Sequence, residues 1–428
     1  MRIVLHNVGP IRDADITFAP LTVLVGPNGS GKTTLSTVSY AVLLAHRQAS
    51  RRAGIGVLRR MALRDNAGLE EGARRVLENW EEEFREALDA HLQRCFGPYK
   101  ESLAREGRSG KGAAPRIAVS NVQRGPSWKL VFRLERDRLV LERSHRGYRA
   151  PKLPQLEKAT PSQYESQLRR VTSASMPRAS VYLPAARSGF MQMNSALAAL
   201  FARALEAGYF EHATLGTISG ATSDFLQFLA TIKPEQESEL DEGSITRLEQ
   251  ETTGGRFLFG EGTGTQGLVF QPAGLAGTWP LAYAATSAAE IAPLILYLRH
   301  RARPDDAVFI DEPEAHLHPR TQMVLAEGLL KVSRSIDAVT LATHSEFVVS
   351  AISNGVLASQ TDNGAPLARR DVRVYEFCPD DAPLKGVEVK ELDFDPETGF
   401  DIRQFSSVAE AAYQHSVELY NEIHAISS

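Results

Sequence analysis

Apolar and polar positions divide this chain into segments of contrasting period. Leu21, Val23, Leu24 and Val25 form a short apolar run, and two strand-like runs precede it near Arg2–Val8 and Ala14–Phe18. Short apolar runs bounded by turn residues read as buried strands. A helix is predicted to start in the Gly-rich turn at 26–34 and to reach about His46. Residues 48–66 are Arg-rich and poorly patterned. From 69 to 96 the period becomes helical. Trp80, Phe84, Leu88 and Leu92 recur every four residues, with Glu78, Glu81, Glu82 and Glu83 among them, as in an amphipathic helix burying one face.

Beyond a Gly/Ser/Lys-rich linker at 106–112, β-like runs are predicted at Arg116–Val122, Lys129–Leu134 and Leu139–Arg143, with a turn at Gly125–Ser127. A buried-strand pattern returns at Ser180–Arg187, and a helix is predicted near Met191–Ala207. Residues 233–265 are acidic and Gly-rich and read as loop or hairpin. Leu268–Gln271 and Thr278–Ala282 read as short strands, and a helix opens near Ser287. Ala307–Ile310, Ala338–Ala342 and Val372–Phe377 read as strands, and Ser407–Ile423 as a terminal helix. Strands alternating with helices predict an α/β fold with a mixed sheet. The expected division is 1–49 and 178–380 as two halves of one core, 50–177 as an inserted helix–β subdomain, and 381–428 as a C-terminal extension.

The turn after the third strand carries candidate chemistry. Gly26-Pro27-Asn28-Gly29-Ser30-Gly31-Lys32-Thr33-Thr34 fits the phosphate-cradling pattern G-x-x-x-x-G-K-[ST]. Its glycines let backbone N–H groups curl around phosphate oxygens, Lys32 reaches the β- and γ-phosphates, and Thr33 faces Mg²⁺. The expected ATP-binding residues are Asn28, Gly29, Ser30, Gly31, Lys32, Thr33 and Thr34. Val308–Glu312 adds an apolar strand that ends in two carboxylates. Ligands bind at the carboxyl ends of strands in open α/β sheets. Asp311 is therefore expected to hold Mg²⁺ with Thr33, and Glu312 to polarise the attacking water. His344, at the end of the next apolar strand, is the candidate γ-phosphate sensor and is grouped with Glu312 as catalytic.

These motifs resemble the ATP-binding-cassette ATPases. They are more closely similar to the stand-alone branch related to the RecF and SMC proteins and the overcoming-lysogenization-defect family. Asp311–Pro319, His344 and the strand pair ahead of the loop carry that likeness, which covers about 1–47 and 178–378. The resemblance implies a P-loop core of cassette type and hydrolysis of ATP with Mg²⁺. It also implies two subunits that sandwich nucleotide head to tail, with Ser287 acting in trans from a signature segment, Thr286–Glu290. Ala288 and Ala289 stand where that family's pattern has glycines, which suggests slow turnover. Ser287 is also open to a plain helix-capping reading. The family's glutamine loop has no assignable counterpart.

Glu312, Glu314, His316 and His318 could suggest a metal cluster, but no third spaced ligand follows, and the resemblance instead places this segment at a dimer interface. Asp393, Asp395 and Asp401 read as solvated acids rather than a metal site, and Arg187 receives no role. Relatives of this architecture act in bacterial phage defence beside a separate effector. The resemblance therefore implies a sensor subunit, at least dimeric, with a nuclease or toxin partner. The alternative is a DNA-maintenance ATPase.

Charge bears on that alternative. Residues 51–176 hold 26 Lys and Arg against 16 Asp and Glu, so the rest of the chain carries a net −14 of the overall −4. The excess is densest at 105–149. It reads either as a surface for nucleic acid or an acidic partner, or as a solvated Arg-rich face. No apolar run approaches the roughly 20 residues of a membrane span, and no secretory signal is evident at Met1–His6. Cys95 and Cys378 lie far apart and read as reduced thiols, so a cytoplasmic location is expected.

Overall fold

The computed structural model describes residues 1–61, 69–104, 114–121, 128–135, 138–146, 177, 179–185, 187–192, 218–260, 267–359, 371–380, 386–401 and 413–420. Among these, the side chains of 53–61, 69–78, 146 and 179 are not described. The expected linker at 106–112, the turn at 125–127 and most of the helix expected after Met191 lie outside the described residues.

The architecture is α/β, built on one eleven-stranded mixed sheet. Its strands are β1 (Arg2–Val8), β2 (Ile11–Thr17), β3 (Leu21–Val25), β4 (Arg116–Ser120), β5 (Trp128–Leu134), β6 (Leu139–Arg146) and β7 (Ala179–Leu183). A three-stranded sheet follows, from β8 (Gly255–Phe259), β9 (Leu268–Pro272) and β10 (Trp279–Pro280). The main sheet is completed by β11 (Asp306–Asp311), β12 (Ala338–Thr343), β13 (Val372–Pro379) and β14 (Val387–Glu391), and a small hairpin pairs β15 (Phe394–Asp395) with β16 (Gly399–Phe400). The order across the main sheet is β6-β5-β4-β1-β2-β14-β13-β3-β12-β11-β7. The run β13-β3-β12-β11-β7 is parallel, and β6-β5-β4-β1-β2 is antiparallel.

Every residue of β3 and β11 is buried, as expected of parallel strands covered on both faces. The period-2 alternation sorts their side chains between two cores. Leu21, Val23 and Val25, with Val308 and Ile310, face α3 (Gly220–Thr231), α4 (Glu242–Thr253), α5 (Thr286–His300), α6 (Pro319–Val332) and α7 (Glu346–Ala358). Leu24, Ala307 and Phe309 face α1 (Lys32–Met61) and α2 (Leu69–Phe96).

Three differences from the sequence reading have physical causes. Helix α1 does not stop near His46 but continues to Met61, and α2 packs along it. The strands expected in an inserted subdomain extend the main sheet, because β4 pairs with β1 from Arg2↔Ser120 to His6↔Arg116. Trp80, Phe84, Leu88 and Leu92 accordingly sit in the same core as β1 and α1, with the Phe84 and Phe132 rings 5.7 Å apart. Finally, 242–253 is a helix rather than loop or hairpin. Asp241 caps it through the Ser244 amide, Gly254 closes it at φ +66°, and Ile245, Leu248 and Thr252 form its buried face.

Candidate functional site

Register places the candidate residues together. Ala342 of β12 pairs with both Asp311 of β11 and Leu24 of β3, so three parallel strands end side by side. The loop after β3 needs glycine where it turns. Gly29 has φ +74°, a left-handed conformation that costs other residues energy. Gly31 has φ +101°, and a Cβ there would lie 2.8 Å from the Pro10 side chain and 3.0 Å from Ile11. The loop thereby seats on the β1–β2 turn, and α1 starts at Lys32 with its N-terminus facing the loop.

Lys32 is buried, and its Nζ donates to the carbonyls of Gly26 at 2.7 Å and Pro27 at 2.8 Å. Burial lowers its pKa below the usual lysine value, opposed by the charges of Glu312, Glu314 and Asp311. Asp311 is buried at the end of β11. Burial pushes its carboxyl up to about 6, while the Tyr182 hydrogen bond, the nearby Thr33 hydroxyl and the charge of Arg187 pull it down. The Tyr182 hydroxyl donates to Asp311 Oδ2 at 2.7 Å, and burial holds that phenol well above its ordinary pKa, so it remains a donor.

Glu312 follows in a left-handed conformation, φ +47°, with its amide donating to the Ala342 carbonyl at 2.8 Å. Strain of this kind clusters at functional sites, and here it turns the half-buried Glu312 off the strand. Glu314 bridges to the next strand, its Oε1 accepting from the His344 amide at 2.8 Å. His344 itself is half exposed, with Nδ1 3.4 Å from Glu314 Oε1.

Four buried polar atoms in this neighbourhood lack a hydrogen-bond partner: Ser30 Oγ, Asp311 Oδ1, Glu314 Oε2 and His344 Nδ1. Buried polar groups are almost always satisfied, so a cluster of exceptions marks a place where a ligand supplies the partners. The chemistry fits a magnesium triphosphate. Asp311 Oδ1 and the Thr33 hydroxyl are hard oxygen donors of the kind Mg²⁺ takes, and Ser30 and Lys32 offer donors to phosphate oxygens.

Arg187, which carried no role in the sequence, organises this end of the sheet. Its guanidinium is 2% exposed and pairs with fully buried Glu290 at 2.8 Å. It also donates to the carbonyls of Pro184 (2.9 Å), Asp311 (2.7 Å) and Glu312 (3.1 Å). Glu290 returns the contact by accepting from the amides of Arg187 and Ser188. The first turn of α5 is thus tied to the strand end that carries both carboxylates. Tyr182 and Arg187 were missed as functional residues because their partners lie more than a hundred positions away.

Other candidates fall outside this cluster. Ser287 does not cap α5. The cap is Ala285, without a side-chain hydrogen bond, and Ser287 sits one position into the first turn after Thr286. Ala288 and Ala289 point into the core. His318 caps α6, and His316 is exposed with φ +59°. Asp395 accepts from the amides of Glu397 and Thr398 in a tight turn. Among the described residues no group of three or more His, Cys, Asp or Glu side chains is placed to hold a metal ion. No described helix is long and apolar enough to cross a membrane.

One family comparison covers the phosphate-loop end of the chain. Residues 2–37 match the family described as AAA domain, which gives the chain an AAA-type segment spanning β1 to the start of α1. No curated protein matches the chain. Among solved structures it is similar to an SMC head bound to the C-terminal winged-helix domain of ScpA, with 14% identity, a TM-score of 0.46, and coverage of 92% of this chain and 98% of that one. An SMC head domain from Thermotoga maritima gives 11% identity and 0.40 over 92% and 98% of the two chains. A head from Pyrococcus furiosus, bound to the C-terminal domain of ScpA, gives 12% and 0.43 over 96% and 98%.

Proposed function

We propose that this chain is an ATP-binding and ATP-hydrolysing switch of the cassette type. The observation that supports it most is the convergence of Lys32, Asp311, Glu312, Glu314 and His344 around four unpartnered buried polar atoms. The Ser30 hydroxyl and the Lys32 ammonium bind and orient the triphosphate. Thr33 and Asp311 hold Mg²⁺, which supplies charge neutralisation at the phosphates when bound. Glu312, held off the strand by its left-handed backbone, accepts a proton from the attacking water. His344 reports the γ-phosphate from the end of β12, and the buried Glu314 carboxylate sets its backbone position.

Two copies stack head to tail in this reading, and Ser287 of one completes the site of the other. Ser287 is half exposed on the first turn of α5, clear of the core that takes Ala288 and Ala289. Hydrolysis opens the dimer, and the chain serves as sensor or scaffold subunit of a phage-defence system that controls a separate nuclease or toxin. The alternative, a DNA-maintenance ATPase that uses 105–149 to contact DNA, stands beside it, and Arg105, Arg108, Lys111, Arg124, Arg136 and Arg149 of that stretch lie outside the described residues. Arg116 pairs with Glu142, Arg133 with Glu135, and Arg138 with Glu135, so these cations are already partly neutralised within the chain.

Glu312→Gln tests the chemistry. The variant keeps ATP binding while its turnover falls roughly 10²- to 10⁴-fold, and it accumulates as a dimer in sedimentation with MgATP. Hydrolysis at the parent rate removes Glu312 from its role.

A further inference from the structure

A cavity lies away from the phosphate loop. It borders β7, the last strand of the sheet among the described residues, with a volume of about 590 Å³, and is lined by residues of α1, α2, β7, α3, α5 and the turn before β11. That volume is in the range of small-molecule sites, about 300–1,000 Å³. Its charge is asymmetric. Arg47, Arg94, Arg301 and Arg303 line it against only Asp224 and Asp306.

The acidic residues are already committed. Asp224 is held by Arg94 and by the Tyr40 hydroxyl at 2.8 Å. Asp306 accepts from the Tyr297 hydroxyl at 2.8 Å and from the Arg303 amide at 3.0 Å. The remaining arginines keep donors to spare. Arg301 gives one N–H to Thr231 and lies over the Phe228 ring. Arg47 is half-buried, and burial with the nearby Arg51 charge lowers its pKa. Each guanidinium carries five donors, and among the described residues neither Arg47 nor the Arg303 side chain makes an ion pair.

We propose that this cavity is a second ligand site, for a phosphate-bearing small anion of about nucleotide size. Arg47, Arg301 and Arg303 bind the phosphate groups through charge-assisted hydrogen bonds. The apolar side chains of Leu44 and Phe228, backed by the buried Tyr40 and Tyr297 rings, line the side facing the rest of the molecule. Tyr182 also lines the cavity, and its hydroxyl is the one that binds Asp311. An occupant therefore touches the residue that holds a carboxylate of the nucleotide end.

The site is tested by calorimetry on the full chain carrying Lys32→Ala, which weakens the phosphate loop, and the Arg47 and Arg303 substitutions, which leave that loop untouched, separate the result from the ATP reading. Two probes separate the chemical sources, pyrophosphate for bare phosphate and adenosine monophosphate for a nucleotide. Saturable binding of either, weakened at least about tenfold by Arg47→Ala, is the expected result. Arg303→Glu, a change on an exposed turn, gives the same loss and serves if Arg47→Ala folds poorly. Absence of saturable binding by both probes at millimolar concentration overturns the proposal, as does binding that neither substitution weakens.

Discussion

The strand ends of β3, β11 and β12 and the arm formed by β4–β6 both gather charged side chains, but they treat them in opposite ways. On the arm, Arg116 donates to Glu142 at 2.7 Å, and Arg133 and Arg138 share Glu135. The Glu142 carboxyl is lowered by hydrogen bonding to Arg116, which shows the pairing in electrostatic form. At the strand ends, Asp311 is raised by burial, Lys32 is lowered by it, and, among the described residues, four buried polar atoms make no hydrogen bond, against one on the arm, Arg133 Nε. Charge neutralised within the chain maintains structure. The clustering of four such atoms at the strand ends is what fits a ligand supplied from outside.

Substitutions sharpen this contrast in order of expected size. Arg187→Ala leaves Glu290 charged and uncompensated in the core, and denaturant unfolding should show a loss of roughly 3–5 kcal/mol. A loss below about 1 kcal/mol would mean that the Arg187–Glu290 pair does not tie α5 to β11.

Asp311→Asn should act in the opposite direction on stability. In the absence of nucleotide and Mg²⁺ at pH 8, it removes a buried charge and keeps the Tyr182 hydrogen bond, a gain on the order of 2 kcal/mol. The folded carboxyl titrates near 6, above its ordinary 3.8. The burial penalty is therefore present above pH 6 and relieved as pH falls through it. The gap between variant and parent in thermal unfolding should begin to close near pH 6 and be largely gone below about pH 4, the ordinary carboxyl range. A gap that is constant with pH would place its cause outside Asp311 ionisation.

Arg133→Ala, at a half-exposed surface pair, should cost less than about 1 kcal/mol. A larger loss would make the arm more than a solvated, self-paired edge.

Much of the nucleotide end was legible because its chemistry is local in sequence. Gly26–Thr34 carries its spacing within nine residues, and Val308–Glu312 shows an apolar strand delivering two acids. The parts that resisted reading depend on distant partners. Tyr182 and Arg187 gain their positions from Asp311 and Glu290, and neither pairing leaves a local period. The β4–β6 arm was read strand by strand. Its membership of the main sheet rests on the β1–β4 pairing, which hydrophobic pattern does not specify. Helix α4 was misread because the wider stretch 233–265 is acidic and Gly-rich, although Asp241, Ile245, Leu248, Thr252 and Gly254 spell a capped amphipathic helix. Only the helix-capping reading of Ser287 fails, since Ala285 holds the cap position.

The central claim is that the unpartnered groups at the ends of β3, β11 and β12 receive a magnesium triphosphate. Calorimetric titration of MgATP into the parent protein and into Lys32→Ala tests it most directly. The account predicts saturable binding to the parent, and binding roughly tenfold to a hundredfold weaker in the variant, because a buried ammonium donor is lost. Equal affinity in the two proteins would contradict it.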